Sequence, residues 1–261
     1  CVYPHMSSWR DLSVVRSLAH VHSDAKLATK TGARLQRDRT GIYLAYLKTL
    51  LLDDLVGQDI GPEEALELVD AMVDAGKISL DARSVSLSLA DCLGHVGGDE
   101  AVAQRSRCQA LLQSALFVRP EGKGAWQFAN ESIADLFLAR RLDRQMAAKG
   151  PAACGAITAG KALDSCNEIA GFLLGLPRGR QCAPEVLNRL CDRAETSRLQ
   201  LLTEFSLPGG EARAKLLLAA RNRVKSGGFK PCVAVELNRL WEALPEALRA
   251  DVVRKQTSPR P

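Results

Sequence analysis

The chain has 261 residues, 46% of them apolar, 25% charged and 5% aromatic, with a formal net charge of +5. That length holds one large domain or two to three small ones, with a core resting on Leu, Val, Ala and Ile rather than on rings. The basic residues are spread out, with their densest runs at 34–39 and 221–225. Diffuse basicity argues against nucleic acid as the main partner, and no run reaches the roughly 18 apolar residues that suggest a membrane span.

The chain opens on Cys1-Val2-Tyr3-Pro4-His5, with no charged-then-apolar secretion leader. We read it as a piece of a longer cytoplasmic polypeptide. Leu12, Val15, Leu18 and Ala19 recur three to four apart and predict a helix over 10–19; 42–55 predicts a second. The next helix begins at Pro62, a residue suited to the first helical position. Glu63 and Glu64 favour its positive end, Leu66, Val69, Met72 and Val73 form its buried stripe, and Gly76 its stop. Residues 80–93 predict another helix, closed by Gly94 and Gly97-Gly98, and 100–114 a further one.

The period then changes. Over 115–129, the segments LFVR and AWQF flank a Pro/Gly-rich turn and predict a β-hairpin. Trp126 and Phe128 alternate on one strand and are expected to pack beneath it. Asn130 is a good N-cap for the following helix, whose apolar face is Ile133, Leu136 and Phe137 and whose last turns carry Arg140, Arg141 and Arg144. Ser132-x-x-Asp135 reads as a local capping arrangement. Beyond this, helices are expected at 162–175, 184–204, 210–225 and 233–254, broken by Pro177, Pro208-Gly209-Gly210 and Gly227-Gly228, with a frayed tail.

The fold class is therefore mainly α: a helical segment (1–60), a winged-helix-like module with one hairpin (61–150) and a C-terminal helical domain (151–261). Paired helices in the last part suit protein partners.

Little of the chain spells catalysis. Eight cysteines occur without C-x-x-C spacing, which reads as buried free thiols in a reducing compartment. His5, His20, His22 and His95 are not interleaved with them at ligand spacing, so no metal is expected. No Gly-x-Ser-x-Gly elbow is present. Gly155, Gly160 and Lys161 stand at G-x-x-x-x-G-K spacing, yet position 162 is Ala, no apolar strand precedes the loop, and none downstream ends in Asp. A phosphate loop needs all three features, so no nucleotide grip is expected there.

The stretch 111–142 resembles the segment following the nucleotide-binding core of NACHT-type STAND NTPases. Leu111, Ser114 and Leu116 match the family's Leu-x-x-Ser-(Gly/Ala)-Leu; Phe128, Ser132, Asp135, Ala139, Arg140 and Leu142 match its Phe-x-His-x-Ser-Phe and the helix that this begins, Glu-(Phe/Tyr)-x-Ala-(Arg)-x-Leu. Upstream, Arg39 and Tyr43 match an Asn-Arg-x-x-Leu-Tyr helix, and 166–176 resembles the helical segment that comes next. The resemblance implies a regulatory, conformation-switching part of an ATPase. It would lack its own phosphate loop, pack on a nucleotide-binding core of the same polypeptide, and respond to ATP or ADP bound there. Asn130 stands where the family carries its nucleotide-sensing His. Asn can cap the helix and donate a hydrogen bond but carries no positive charge. A winged-helix DNA-binding regulator, with Arg140, Arg141 and Arg144 on phosphates, is the alternative. Its expected reading helix, 100–114, shows only Arg105 and Arg107 as basic. A helical scaffold is the third reading.

Overall fold

The structure is a computed structural model that describes residues 39–58, 60–79, 84–93, 99–121, 124–149, 154–155, 163, 169–191, 207 and 209–257. The expected helix at 10–19, all four histidines, Gly160 and Lys161 lie outside them. Eleven α-helices and two two-stranded antiparallel pairs are formed among the described residues, so the mainly helical expectation holds. None of these helices is long and apolar enough to cross a membrane. The chain divides into two compact units, one drawn from Gly41–Arg141 and the other from Leu142–Asp164 and Ile169–Pro261.

The first unit is threaded by α1 (Arg39–Asp54). Its Tyr43, Leu47 and Leu51, and Leu55 just beyond it, are buried at four-residue spacing, the stripe of a one-sided helix. In α2 (Pro62–Ala75), Pro62 takes the first helical position and Ala65, Leu66, Val69, Met72 and Val73 are buried. Gly76 ends the helix in extended conformation (φ −72°, ψ 163°), so its left-handed freedom is not what stops it.

The helix expected over 80–93 is formed only at its end, as α3 (Leu89–Leu93). Before it, β1 (Lys77–Ser79) pairs antiparallel with β2 (Ser84–Ser86), in register Lys77↔Ser86 and Ile78↔Val85. Ser84-Val85-Ser86-Leu87 alternates polar and apolar, a strand period. Ser88 then starts α3: its Oγ accepts from the Asp91 N–H (3.2 Å), and the Ser88 N–H donates to the Asp91 carboxylate (2.7 Å). This reciprocal pair is a capping box.

Next comes α4 (Asp99–Gln113), followed by the expected hairpin, β3 (Phe117–Val118) with β4 (Gln127–Phe128). Just before β4, Trp126 bridges to Leu87 through both backbone hydrogen bonds (2.9 and 2.8 Å). A strand segment ahead of α3 is thereby tied to the hairpin that follows α4. Helix α5 (Glu131–Lys149) closes the unit with its part up to Arg141, its residues from Leu142 on being assigned to the second unit. Its residues 132–139 are all buried, a wider face than the expected Ile133, Leu136 and Phe137.

The second unit contains α6 (Ile169–Gly175), α7 (Pro177–Gln181) and α8 (Ala183–Leu190). Helix α6 is buried along its whole length, as its uninterrupted apolar run demands. Asp143 accepts hydrogen bonds from the Arg178 and Gly179 N–H groups (2.8 and 2.7 Å), satisfying first-turn donors of α7. Helix α9 (Gly210–Lys225) matches expectation and packs on α10 (Pro231–Glu242). The link between them carries Gly227 and Gly228 at φ of 96° and 87°, a left-handed pair that side-chained residues resist. The single helix expected over 233–254 is instead two: α10 stops at Glu242 and α11 runs Glu246–Thr257. Pro245 lies at the break, where a ring without an N–H cannot continue a helix; its carbonyl accepts from Leu248 and Arg249 to start the next one.

The cysteines also depart from expectation. Those described are paired: Cys92–Cys108, Cys154–Cys182 and Cys191–Cys232, with Cα–Cα distances of 5.9, 5.4 and 6.2 Å. These separations lie within the disulfide range, and no free thiol remains among the described residues. Spacing along the chain could not reveal pairs 16, 28 and 41 residues apart.

Candidate functional site

The hairpin and the start of α5 bring together most residues singled out at 111–142. At the turn after α4, Leu111 and Leu116 are fully buried. Ser114 stitches that turn: its hydroxyl donates to the Leu111 carbonyl (2.7 Å), and the Phe117 N–H donates to the Ser114 carbonyl (3.2 Å). From α1, Asp54 accepts from the Ala115 N–H (2.7 Å). Leu-x-x-Ser-x-Leu thus spells a turn held by its own serine.

Three rings extend from the hairpin into α5. Phe117 and Phe128 lie 5.1 Å apart, and Phe128 stacks on Phe137 at 5.3 Å and 9°. Trp126 sits beneath the Arg119 guanidinium at 5.9 Å, within cation–π reach. These aromatics are packed, as their alternation suggests. Asn130 follows directly: its Oδ1 accepts from the Ser132 N–H (2.8 Å), and its carbonyl accepts from Ala134 (3.1 Å). That geometry is an N-cap. Since α5 begins at Glu131, Ser132 lies inside the first turn and does not cap it. Ser132 and Asp135 are buried while Asn130 is exposed.

Two consecutive arginines on α5 bind back to α2. Arg140 clasps Asp70 in bidentate fashion, Nε lying 3.0 and 3.1 Å from the two carboxylate oxygens while its NH2 also donates to Oδ2. Arg141 donates to the Val73 carbonyl (2.9 Å) and stands 3.8 Å from Asp74. Asp70 and Arg140 are mostly withdrawn from water, at 13% and 20% side-chain exposure. Fork-to-carboxylate geometry adds direction as well as charge. Of the basic residues on α4, Arg107 reaches Glu64 at 3.1 Å, while Arg105 is exposed. Arg140 and Arg141, which the alternative reading places on DNA phosphates, are thus engaged within the unit.

Gly155, the first glycine of the G-x-x-x-x-G-K spacing, follows Cys154, which is bonded to Cys182 between α7 and α8. Among the described residues no group of three or more His, Cys, Asp or Glu could hold a metal. No family model, no curated protein and no solved structure matches the chain.

Proposed function

We propose that this chain is a regulatory, conformation-switching part of a NACHT-like STAND NTPase, without a phosphate loop of its own. The observation carrying the proposal is the Leu87–Trp126 bridge. With it, helix, strand pair, two helices and hairpin follow one another as α2, β1–β2, α3, α4 and β3–β4, and the segment after β2 joins the hairpin, an order that supports a winged-helix-like module. In this reading the module packs on a nucleotide-binding core of the same polypeptide, which supplies ATP or ADP, and the C-terminal helices take protein partners. Asn130, exposed at the junction of hairpin and α5, is the residue proposed to face the nucleotide. A helix N-terminus favours phosphate there. The ion pairs of Arg140 and Arg141 weigh against the DNA-binding alternative. The reading of the cysteines as free thiols in a reducing compartment is set aside: three disulfides among the described residues suit an oxidising compartment better.

Reading the coding region ahead of Cys1 is the first test. A strand followed by G-x-x-x-x-G-K-(S/T) is expected, and its absence overturns the proposal. In that longer protein, Asn130→Ser keeps a capping oxygen but shortens the side chain. ADP release should quicken with helix stability retained; unchanged release reduces Asn130 to a cap.

A further inference from the structure

We infer that Cys191–Cys232 is a redox modification site, the one of the three described disulfides that a dithiol reductant opens first, with entry through the Cys191 sulfur. The inference is independent of the nucleotide-linked reading.

Three observations carry it. Cys92, Cys108, Cys154 and Cys182 are at most 6% exposed, whereas Cys191 and Cys232 are both partly exposed. Exchange needs an attacking thiolate in line with a sulfur, so access separates the three bonds. Second, the two sulfurs belong to opposite kinds of helix end. Cys191 is the C-cap residue of α8, its N–H donating to the Leu187 carbonyl (2.9 Å). Cys232 is the second residue of α10, a twelve-residue helix that opens at Pro231. A thiolate is stabilised at a helix N-terminus and disfavoured at a C-terminus. Third, the bond closes a loop across 41 residues, containing all of α9. Near it, the Lys230 N–H also donates to Asn188 Oδ1 (2.8 Å), a neutral contact that survives reduction.

The chemistry is asymmetric for that reason. A reductant thiolate attacks the Cys191 sulfur; a new S–S bond forms there, the Cys191–Cys232 bond breaks, and the electron pair leaves on Cys232. The better-stabilised thiolate is the better leaving group. The second thiol of the reductant then loses its proton to water and displaces Cys191 as thiolate, which takes up a proton. The reductant becomes a disulfide, and the protein has gained two electrons and, once the Cys232 thiolate also takes a proton from water, two protons. The start of α10 is then no longer covalently bonded to the end of α8.

The test uses the whole chain under native conditions with dithiothreitol, quenched at intervals by alkylation and read by peptide mass spectrometry. Cys191 and Cys232 should become alkylated together, on the order of tenfold faster than the four buried cysteines. Circular dichroism should keep its helical signal through that first phase. With reduced glutathione, trapped early by acid and N-ethylmaleimide, the adduct should sit on Cys191 and the maleimide on Cys232. Equal opening of all three bonds, opening only with loss of helix, glutathione on Cys232, or free thiols at both positions before reduction each overturns the inference.

Discussion

Ser88 and Ser132 share a local spelling, serine followed three residues later by aspartate, and they end in different structures. At Ser88 the pattern is a working capping box, with Asp91 returning to the serine N–H. At Ser132 the helix has already begun, because Asn130 took the cap one turn edge earlier. Replacing Ser88 with Ala removes the acceptor for a first-turn N–H and should cost about 1 kcal/mol in urea unfolding. Gly179 answers to a different constraint. A Cβ there would stand 1.9 Å from the Leu173 carbonyl oxygen, a backbone atom that no rotamer change can move. Gly179→Ala should therefore destabilise the second unit by roughly 2–4 kcal/mol, with the midpoint shift showing in thermal unfolding. Neither residue can be ranked from composition, since one acts through a partner three residues away and the other through its approach to α6.

At the scale of the element, the α2–α5 contact has a charged centre in an apolar setting. Val69, Met72, Val73, Leu136 and Phe137 are fully buried, and between them Arg140 holds Asp70. Removing only the arginine leaves a largely buried carboxylate with its main partner gone. Arg140→Ala should cost about 2–4 kcal/mol, somewhat below a fully buried pair because both groups retain some exposure. Asp70→Asn in the Arg140→Ala background should restore part of that loss, a coupling a double-mutant cycle reads directly. The α9–α11 contact is held differently, by an exposed cluster. Lys215 and Lys255, at 3.0 and 3.2 Å from Glu211, hold its carboxyl below the ordinary 4.5. Asp251 and Glu211 raise Lys255 above the ordinary 10.5.

The two signs bracket a plateau. The Glu211 contribution is fully present above 4.5 and fades as pH falls through its lowered folded value. The Lys255 contribution is fully present below 10.5 and fades as pH rises through its raised folded value. Thermal midpoints of the parent chain and Lys255→Met should differ by a constant amount across the plateau and converge beyond either edge. High salt should shrink the difference throughout, since these groups face water.

At the scale of the whole chain, disulfides set how far unfolding can spread. Cys92–Cys108 joins α3 to α4 across 16 residues. Closing a loop of that length restricts the unfolded chain by about 3 kcal/mol in the chain-entropy description. Replacing both cysteines with Ala should lower first-unit stability by about that amount, measured by hydrogen exchange at the amides of α3 and α4. Exchange in α9–α11 should stay unchanged, because the bond lies wholly within the other unit.

Much of the element order was legible from the amino acids alone. Apolar residues at helical spacing marked α1 and α2; Pro62 opened a helix; Pro208-Gly209-Gly210 and Gly227-Gly228 bounded α9; the change from period 3.6 to alternation marked β3–β4 before Asn130. These features depend on neighbours within a few residues, so local chemistry suffices to write them. The strand pair at 77–86 and the split at Pro245 were also spelled locally, though in signals shorter than one helical turn. Tertiary structure alone decided the rest: which cysteines meet, that Arg140 and Arg141 turn inward to Asp70 and Asp74, and that Leu87 bridges Trp126. Each of those joins residues far apart in the chain, and their energies depend on burial and distance, which exist only once the helices have packed.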